Sequence, residues 1–240
     1  MKKSEYSKMA LLQKGNWWYA SRRVLCLQLI KKFAKKSGKP EILEIGCGTG
    51  PNLGALAALG NATGIDLSKT AVAHCKRLGF QARVGSALSL PFGQNSFDVV
   101  VIMDVLEHLD NDSRAFAQAL RVLRKGGIMV LSVPAYQWLF SYHDRAIGHR
   151  RRYTKNSLIR LASGNTPEFA SYIFSFALFP AALFRLFKSA GGTSESDALV
   201  VPWPFNNALL FLSGLELRLI LSGVSLPFGT SVFCVIRKKA

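Results

Sequence analysis

Residues Glu41 to Leu53, EILEIGCGTGPNL, constrain this chain more than any other stretch. Ile42, Leu43 and Ile45 form a short apolar run of the kind that fills a central parallel strand. Gly46, Cys47, Gly48, Thr49 and Gly50 follow at once, and glycine lets a backbone turn sharply and come close to a ligand. A strand that runs into such a turn implies an open α/β sheet with a crevice at the carboxyl ends of its strands. Glu44, two residues before Gly46, lies at that end.

The spacing bears on which ligand the turn accepts. A dinucleotide fingerprint places glycines at the first, third and sixth positions of the turn, whereas the sixth position here is Pro51. A second expected strand, Ala62 to Leu67, ends in Asp66. That carboxylate follows the first glycine by about twenty residues, where it can accept both hydroxyls of a ribose. The pair of strand ends points to an adenosine-bearing cofactor other than a dinucleotide.

Further strands are expected at 41–46, 62–66, 81–84, 97–103 and 127–133, separated by helical segments, with a sixth at Phe169–Phe176 and a seventh at Ser231–Arg237. Strands alternating with helices predict right-handed crossovers and a parallel sheet. Leu25, Leu29, Ile30 and Phe33 have helical spacing and predict a helix over Val24–Lys36, covering the cofactor side. Between the last two strands, Leu178–Lys188 and Asn206–Ser222 are apolar helical candidates joined by a segment rich in Gly, Ser and Pro. Pro180, Arg185, Glu216 and Arg218 interrupt runs that would need roughly 20 apolar residues to span a bilayer. Core or dimer packing, a substrate cover and contact with a membrane surface all remain open for them.

Four motifs in order resemble the class I S-adenosylmethionine-dependent methyltransferases: EIGCGTG at 44–50, GIDLS at 64–68, FDVVVIMDVLEHLDN at 97–111 and LRVLRKGGIMVLSVPA at 120–135. The resemblance covers Ile42 to Ala135, and extends more loosely to Asn16–Arg23 and Tyr142–Tyr153. It implies a Rossmann-like α/β fold, a seven-stranded, mostly parallel sheet with helices on both faces and the last strand inserted antiparallel beside the sixth. It further implies an organisation into a helical cap or lid over 1–40, a cofactor-binding core over 41–177, an apolar insertion or substrate cover over 178–228, and a last core strand with a basic tail over 229–240.

The same resemblance implies S-adenosylmethionine as cofactor. Glu44 and Asp66 would orient its amino-acid part and its ribose. Gly46, Cys47, Gly48 and Gly50 would form the turn around it, with Leu67, Asp104 and Val105 beside it. Asp104 has a second role open to it, as N-cap of a helix over Val105–Leu109. Many members carry an acid after the third strand to receive the adenine amino group. This chain has Gly85, Ser86 and Ala87 there, so Ser86 and the Ala87 amide are expected in its place.

Acceptor chemistry is expected from Tyr142–Tyr153, YHDRAIGHRRRY. His143 or His149 can take a proton near neutrality, and Arg151 and Arg152, with Tyr153, can hold a phosphate or carboxylate. The alternative is that these arginines pair with Asp144 and other acids. His108 is expected to be mainly a structural part of its helix. His143 beside Asp144 lacks a second pair of ligands, so no metal site is expected.

The chain of 240 residues carries a net charge of +17, and its 49% hydrophobic content is ordinary for a globular enzyme. The segment 41–140 holds 8 basic and 8 acidic residues, so the excess lies in the flanks. Basic flanks imply a phosphate-bearing substrate, an anionic membrane surface or nucleic acid, or else solvated lysines that aid solubility. A base-methylating signature of Asn or Asp, two prolines and an aromatic is absent at the fourth strand, where Asp104, Val105, Leu106 and Glu107 stand, and no aromatic platform for RNA is evident. Cys26, Cys47, Cys75 and Cys234 make no C-x-x-C pair, and Lys14, Arg22 and Arg23 break up the first apolar stretch, so a reducing cytoplasm, with or without membrane association, is expected. The expected activity is methylation, at oxygen, of a small or lipid-like acceptor with an anionic group. An RNA methyltransferase and a non-catalytic cofactor-binding membrane module are the alternatives.

Overall fold

The computed structural model describes residues 15–34, 38–162, 164–189 and 201–239. Seven strands form one sheet: β1 Glu41–Ile45, β2 Asn61–Asp66, β3 Gln81–Val84, β4 Phe97–Met103, β5 Leu123–Pro134, β6 Thr166–Ile173 and β7 Ser231–Arg237, in the order β3-β2-β1-β4-β5-β7-β6. The first five are parallel, and β7 runs antiparallel between β5 and β6. Strand order reverses at β1 and β4, so their carboxyl ends open the crevice in which an open α/β sheet binds its ligand.

The helices are α1 Trp17–Phe33, α2 Leu53–Ala57, α3 Lys69–Arg77, α4 Asp112–Val122, α5 Tyr142–Ile147, α6 Lys155–Arg160, α7 Ser175–Ser189 and α8 Trp203–Leu221. Alternation along the strands sorts them between the two faces. Ile42, Val99, Val101 and Val130 pack with Leu25 and Leu29 of α1 and with Leu217 and Ile220 of α8. Leu43, Val100, Ile102 and Leu131 pack with Phe116 and Ala119 of α4.

Several boundaries differ from the sequence expectation. Helix α1 begins seven residues before Val24, because the Asn16 side chain accepts a hydrogen bond from Trp18 N at 2.9 Å and caps it there. Residues 35–36 of the expected helix lie outside the described residues. Strand β5 begins at Leu123, paired with Phe97, and a register shift lies between there and the main ladder. Strand β6 covers 166–173, and Phe174, at φ 59°, turns the chain into α7 where the strand was expected to continue. Helix α8 begins at Trp203, with Pro204 in its first turn, a position that tolerates a missing N–H.

Candidate active site

The crevice has a volume of about 430 Å³. Its floor is the glycine turn from Ile45 to Thr49; Asp66 and Leu67 form one side, Met103, Asp104 and Val105 the other, and Tyr19, Arg22 and Arg23 of α1 overhang it. Gly46 has φ +77°, and a Cβ there would lie 2.3 Å from Val105 Cγ2. The backbone therefore approaches Val105 as only glycine allows.

Asp66 is fixed before any ligand arrives. Its Oδ2 accepts from Gly48 N at 2.9 Å and its Oδ1 from Ser68 N at 2.8 Å. Each oxygen keeps a lone pair for a further donor, which suits a ribose diol. Leu67 beside it is 69% exposed, an apolar surface open to an aromatic base. Glu44 stands behind the crevice wall. Its Oε1 accepts from Asn52 Nδ2 at 3.1 Å, its buried Oε2 has no hydrogen-bond partner, and Asn52 itself faces the crevice. Burial raises the Glu44 pKa to about 8, with the Asn52 hydrogen bond acting the other way.

Asp104 occupies the left-handed region at φ 55°, directly after β4, a strained conformation that persists when its surroundings hold it. They do: Arg22, 3% exposed, makes an ion pair with its carboxylate and donates to Ser132 Oγ at 2.7 Å, and Asp104 N donates to Ser132 O at 2.9 Å. The expected N-cap role is thereby corrected. The next turn, Leu106–His108, has Val105 in the cap position with no side-chain bond, and the Asp104 carboxylate is committed to Arg22. Tyr19 and Arg22 lie in the segment Asn16–Arg23, which the motif pattern had linked to the family only loosely.

The segment expected to bind the acceptor serves largely as internal structure. Asp144, 0% exposed, accepts from Arg152 Nε at 2.9 Å and Arg152 Nη2 at 3.0 Å, from Ser141 N at 2.9 Å, and pairs with His149 Nδ1 at 2.8 Å. Burial opposes the Asp144 charge, but the hydrogen bond from His149 and the Arg152 guanidinium outweigh it and hold this carboxyl below the usual range. Tyr153 donates its hydroxyl to Asp112 at 2.7 Å, and Arg151 reaches Asp112 at 3.3 Å and Asp110 O at 2.9 Å. His149, Arg151, Arg152 and Tyr153 are thus spent on buried or lateral partners and do not line the crevice; nor does His143, on α5. The alternative of arginines paired with acids is the arrangement observed.

His108, by contrast, lies at the crevice. It lines the crevice with Leu109, Ile147 and Gly148, and its Nδ1 lies 3.2 Å from Gly148 O. Burial, and next the neighbouring His149, lower its pKa. Ser86 also falls outside the lining, its Oγ accepting from Leu88 N at 3.1 Å, whereas Gly85 and Ala87 face in.

Glu107, His108 and His149 each present one ligand atom, all within 4.8 Å of one another. Glu107 is fully buried, neither of its oxygens has a hydrogen-bond partner, and His149 Nε2 lies 3.7 Å from Oε1. Burial, and next the Asp104 charge, raise its pKa well above the ordinary range. These are side-chain types that ligate divalent cations in general, and the expectation drawn from His143 and Asp144 did not consider this grouping. Glu107 and His108 are adjacent, but His149 lies 41 residues beyond His108, so no local motif reveals the grouping.

A doubly wound sheet with an antiparallel penultimate strand, a glycine turn after β1 and a ribose-type carboxylate after β2 defines a nucleoside-cofactor domain of the methyltransferase class. The comparisons with known proteins narrow this. Residues 43–131 match the methyltransferase domain family. The chain is 31% identical over 126 residues to a protein of Mycolicibacterium smegmatis described as a probable S-adenosylmethionine-dependent methyltransferase, a match covering 51% of this chain and 48% of the other. It is 32% identical over 157 residues to the ubiquinone biosynthesis O-methyltransferase of Methylococcus capsulatus, covering 62% and 63%. A crystal structure of an S-adenosylmethionine-dependent methyltransferase from Thermotoga maritima superposes with a TM-score of 0.61 at 18% identity, over 98% and 96% of the two chains, which shows the shared fold. The chain spans about half the length of the first of these relatives. Residues 43–131 carry the domain of the S-adenosylmethionine-dependent methyltransferases, and the chain as a whole has the class I fold. The orphaned buried carboxyl of Glu44, the preset Asp66 and the close turn at Gly46 fit the family's cofactor.

Proposed function

We propose that the protein transfers the methyl group of S-adenosylmethionine to an oxygen of a small or lipid-like acceptor that bears an anionic group. The observation that carries this reading is His108 on the crevice wall. A proton on Nδ1 would be held by Gly148 O, which leaves the Nε2 lone pair as an acceptor. The lowered pKa keeps the imidazole uncharged near neutrality, the form a general base needs.

S-adenosylmethionine supplies a methyl group on a positively charged sulfur, which leaves by in-line attack of a nucleophile. Asp66 would hold the ribose, Leu67 and Ala87 the adenine, and Asn52 with Arg23 the methionine end. An acceptor hydroxyl entering beside Leu109 and Ile147 would give its proton to His108 Nε2 as the O–CH3 bond forms and the S–CH3 bond breaks. The basic excess of the segments flanking 41–140 supports an anionic group, and the apolar surfaces of α7 and α8 support a lipid-like body. The O-methyltransferase among the relatives supports oxygen as the methylated atom.

The test is transfer of labelled methyl from S-adenosylmethionine to a cell extract split into lipid-soluble, small aqueous and nucleic-acid fractions. Label is expected in the lipid-soluble fraction. It should vanish with Asp66→Ala, and with His108→Gln it should fall about 100-fold or more at unchanged cofactor affinity. Label found only in RNA would overturn the acceptor class, and full activity of His108→Gln would overturn the base.

A further inference from the structure

Helix α8 reverses the pattern of an ordinary surface helix. Phe211, Leu215 and Leu219 recur at helical spacing and are 67%, 42% and 53% exposed, while Ser213 and Glu216 of the same helix are 0% and 6% exposed. Glu216 points inward because its partners are inside, and Ser213 is satisfied within its own helix. Glu216 accepts from the backbone amides of Phe174 and Ser175 and from the Ser175 hydroxyl at the entry to α7, the last two at 2.8 and 2.6 Å. Ser213 donates to Leu209 O at 2.7 Å. The interruption that Glu216 makes in the apolar run is therefore absent from the outer face. Trp203 and Phe205 extend the exposed apolar surface at the start of α8. After its end, the exposed Phe228 ring lies 6.2 Å from that of Phe179, on the outer side of α7. Single exposed apolar side chains are commonplace on soluble proteins; a run of this kind marks a surface that meets something.

Charge selects what it meets. Residues 169–189 contain no acid and residues 201–237 only Glu216, which is buried; Glu195 and Asp197 lie between these spans, outside the described residues. Cations border the apolar face: Arg218 is exposed on α8 itself, Lys32 Nζ donates to Leu221 O at 2.9 Å at the end of α8, and Lys155 Nζ reaches Ser225 Oγ at 3.2 Å beside Val224. Aromatic and aliphatic side chains rimmed by lysine and arginine, with no exposed acid among the described residues of 169–189 and 201–237, match an anionic bilayer, whose acyl boundary takes the former and whose phosphates take the latter.

We propose that the outer faces of α7 and α8 dock the protein on an anionic lipid bilayer, lying in its interface. Among the described residues no helix is long and apolar enough to cross a membrane. Asn206 of α8 accepts from Trp17 N at 2.9 Å at the start of α1, the helix whose Tyr19 and Arg23 overhang the crevice. Docking through α8 therefore couples the bilayer to the crevice wall through the packed and hydrogen-bonded contact between α8 and α1. The docking stands independently of which reaction the crevice carries out.

Co-sedimentation of the full chain with vesicles of phosphatidylglycerol and phosphatidylcholine in equal parts, and with phosphatidylcholine alone, tests this. The protein is expected to pellet with the anionic vesicles and to leave them as salt rises. The triple variant Phe211→Ser, Leu215→Ser, Leu219→Ser should bind them at least about 100-fold more weakly, and Arg218→Glu about fivefold more weakly, both with unaltered circular dichroism and cofactor titration. Wild-type protein that stays in solution with both vesicles overturns the proposal, as does a triple variant that binds like wild type. A wild-type dimer that the triple variant converts to a monomer, without vesicle binding by either, overturns it in favour of self-association. Loss of methyl transfer with vesicle binding intact would count against the proposed reaction and leave the docking standing.

Discussion

Replacing Glu44 by Gln should stabilise the protein at neutral pH, although it alters a residue at the heart of the family motif. The carboxyl is 2% exposed, one oxygen is held by Asn52 and the other has no partner. Burial raises its pKa from the ordinary 4.5 to about 8. Between those values the folded protein keeps a proton that the unfolded chain releases, so stability falls as pH rises through the window. At 1.36 kcal/mol per pKa unit, the penalty is on the order of 3 kcal/mol at pH 7 and about 5 kcal/mol above pH 8. Gln keeps the acceptor for Asn52 and resembles the protonated acid in shape, and it carries no charge to desolvate. The variant and the wild type should therefore match near pH 4.5 and diverge steadily above it. Urea denaturation at a series of pH values measures this directly, and the difference between the two proteins isolates Glu44 from other titrating groups. A difference that stays flat from pH 5 to 8, or a variant less stable than wild type at pH 7, would refute the argument. The same proton predicts that a cationic ligand in the crevice favours the carboxylate. Calorimetric titration of S-adenosylmethionine at pH 7 should show proton release in wild type, and less in Glu44→Gln.

Other perturbations act on single named contacts. Gly46→Ala places a methyl group against Val105 at a positive φ, and should cost roughly 2 to 5 kcal/mol in chemical denaturation and weaken cofactor binding. Arg152→Ala leaves the buried Asp144 carboxylate without its bidentate partner and should cost about 3 to 5 kcal/mol. Because the Asp144 pKa is lowered in the fold, its stabilisation is full above the ordinary carboxylate pKa and is lost as pH falls toward the folded value, so acid unfolding of Arg152→Ala should begin at higher pH than in wild type. For wild-type activity, the lowered His108 pKa places the fall in kcat on the acid side of the ordinary histidine value, and a rate profile unchanged by His108→Gln would remove that assignment.

What the sequence reveals of this molecule follows from the range over which each signal acts. Strand periodicity and glycine turns are local, and the motifs at 44–50 and 64–68 accordingly locate Gly46, Gly48 and Asp66 around one crevice. Helix α1 begins at Trp17 because a single capping residue, Asn16, outweighs the apolar spacing that starts only at Leu25. The segment Tyr142–Tyr153 shows the opposite limit. Histidines and arginines close together in sequence suggest a binding site, yet an arginine is drawn to whichever carboxylate the fold brings beside it, and here Asp144 lies within the same segment and takes both Arg152 and His149. The histidine that reaches the crevice is instead His108, which comes to Gly148 across forty residues through a contact no local pattern encodes.

Helix α8 joins these two lessons. Glu216 and Arg218 look alike in the sequence, as charges that break an apolar run, but the fold separates them. Glu216 finds free backbone amides at the start of α7 and turns inward, while Arg218 finds no such partner and stays in solvent. A charge marks a surface only when the interior offers it nothing to bind, because an unpartnered buried carboxylate costs several kcal/mol and a partnered one far less. Once Glu216 is satisfied inside, the leucines and phenylalanines on the other side of α8 have no core left to enter. The apolar face is then a consequence of how α7 is capped, and Glu216→Gln, which keeps one acceptor and loses the charge, should loosen the entry to α7 while leaving the outer face of α8 as it is. Hydrogen exchange at the Phe174 and Ser175 amides would report the first effect and vesicle binding the second. Faster exchange with vesicle binding retained is the expected pair, and unchanged exchange would show that Glu216 does not set the orientation of the helix.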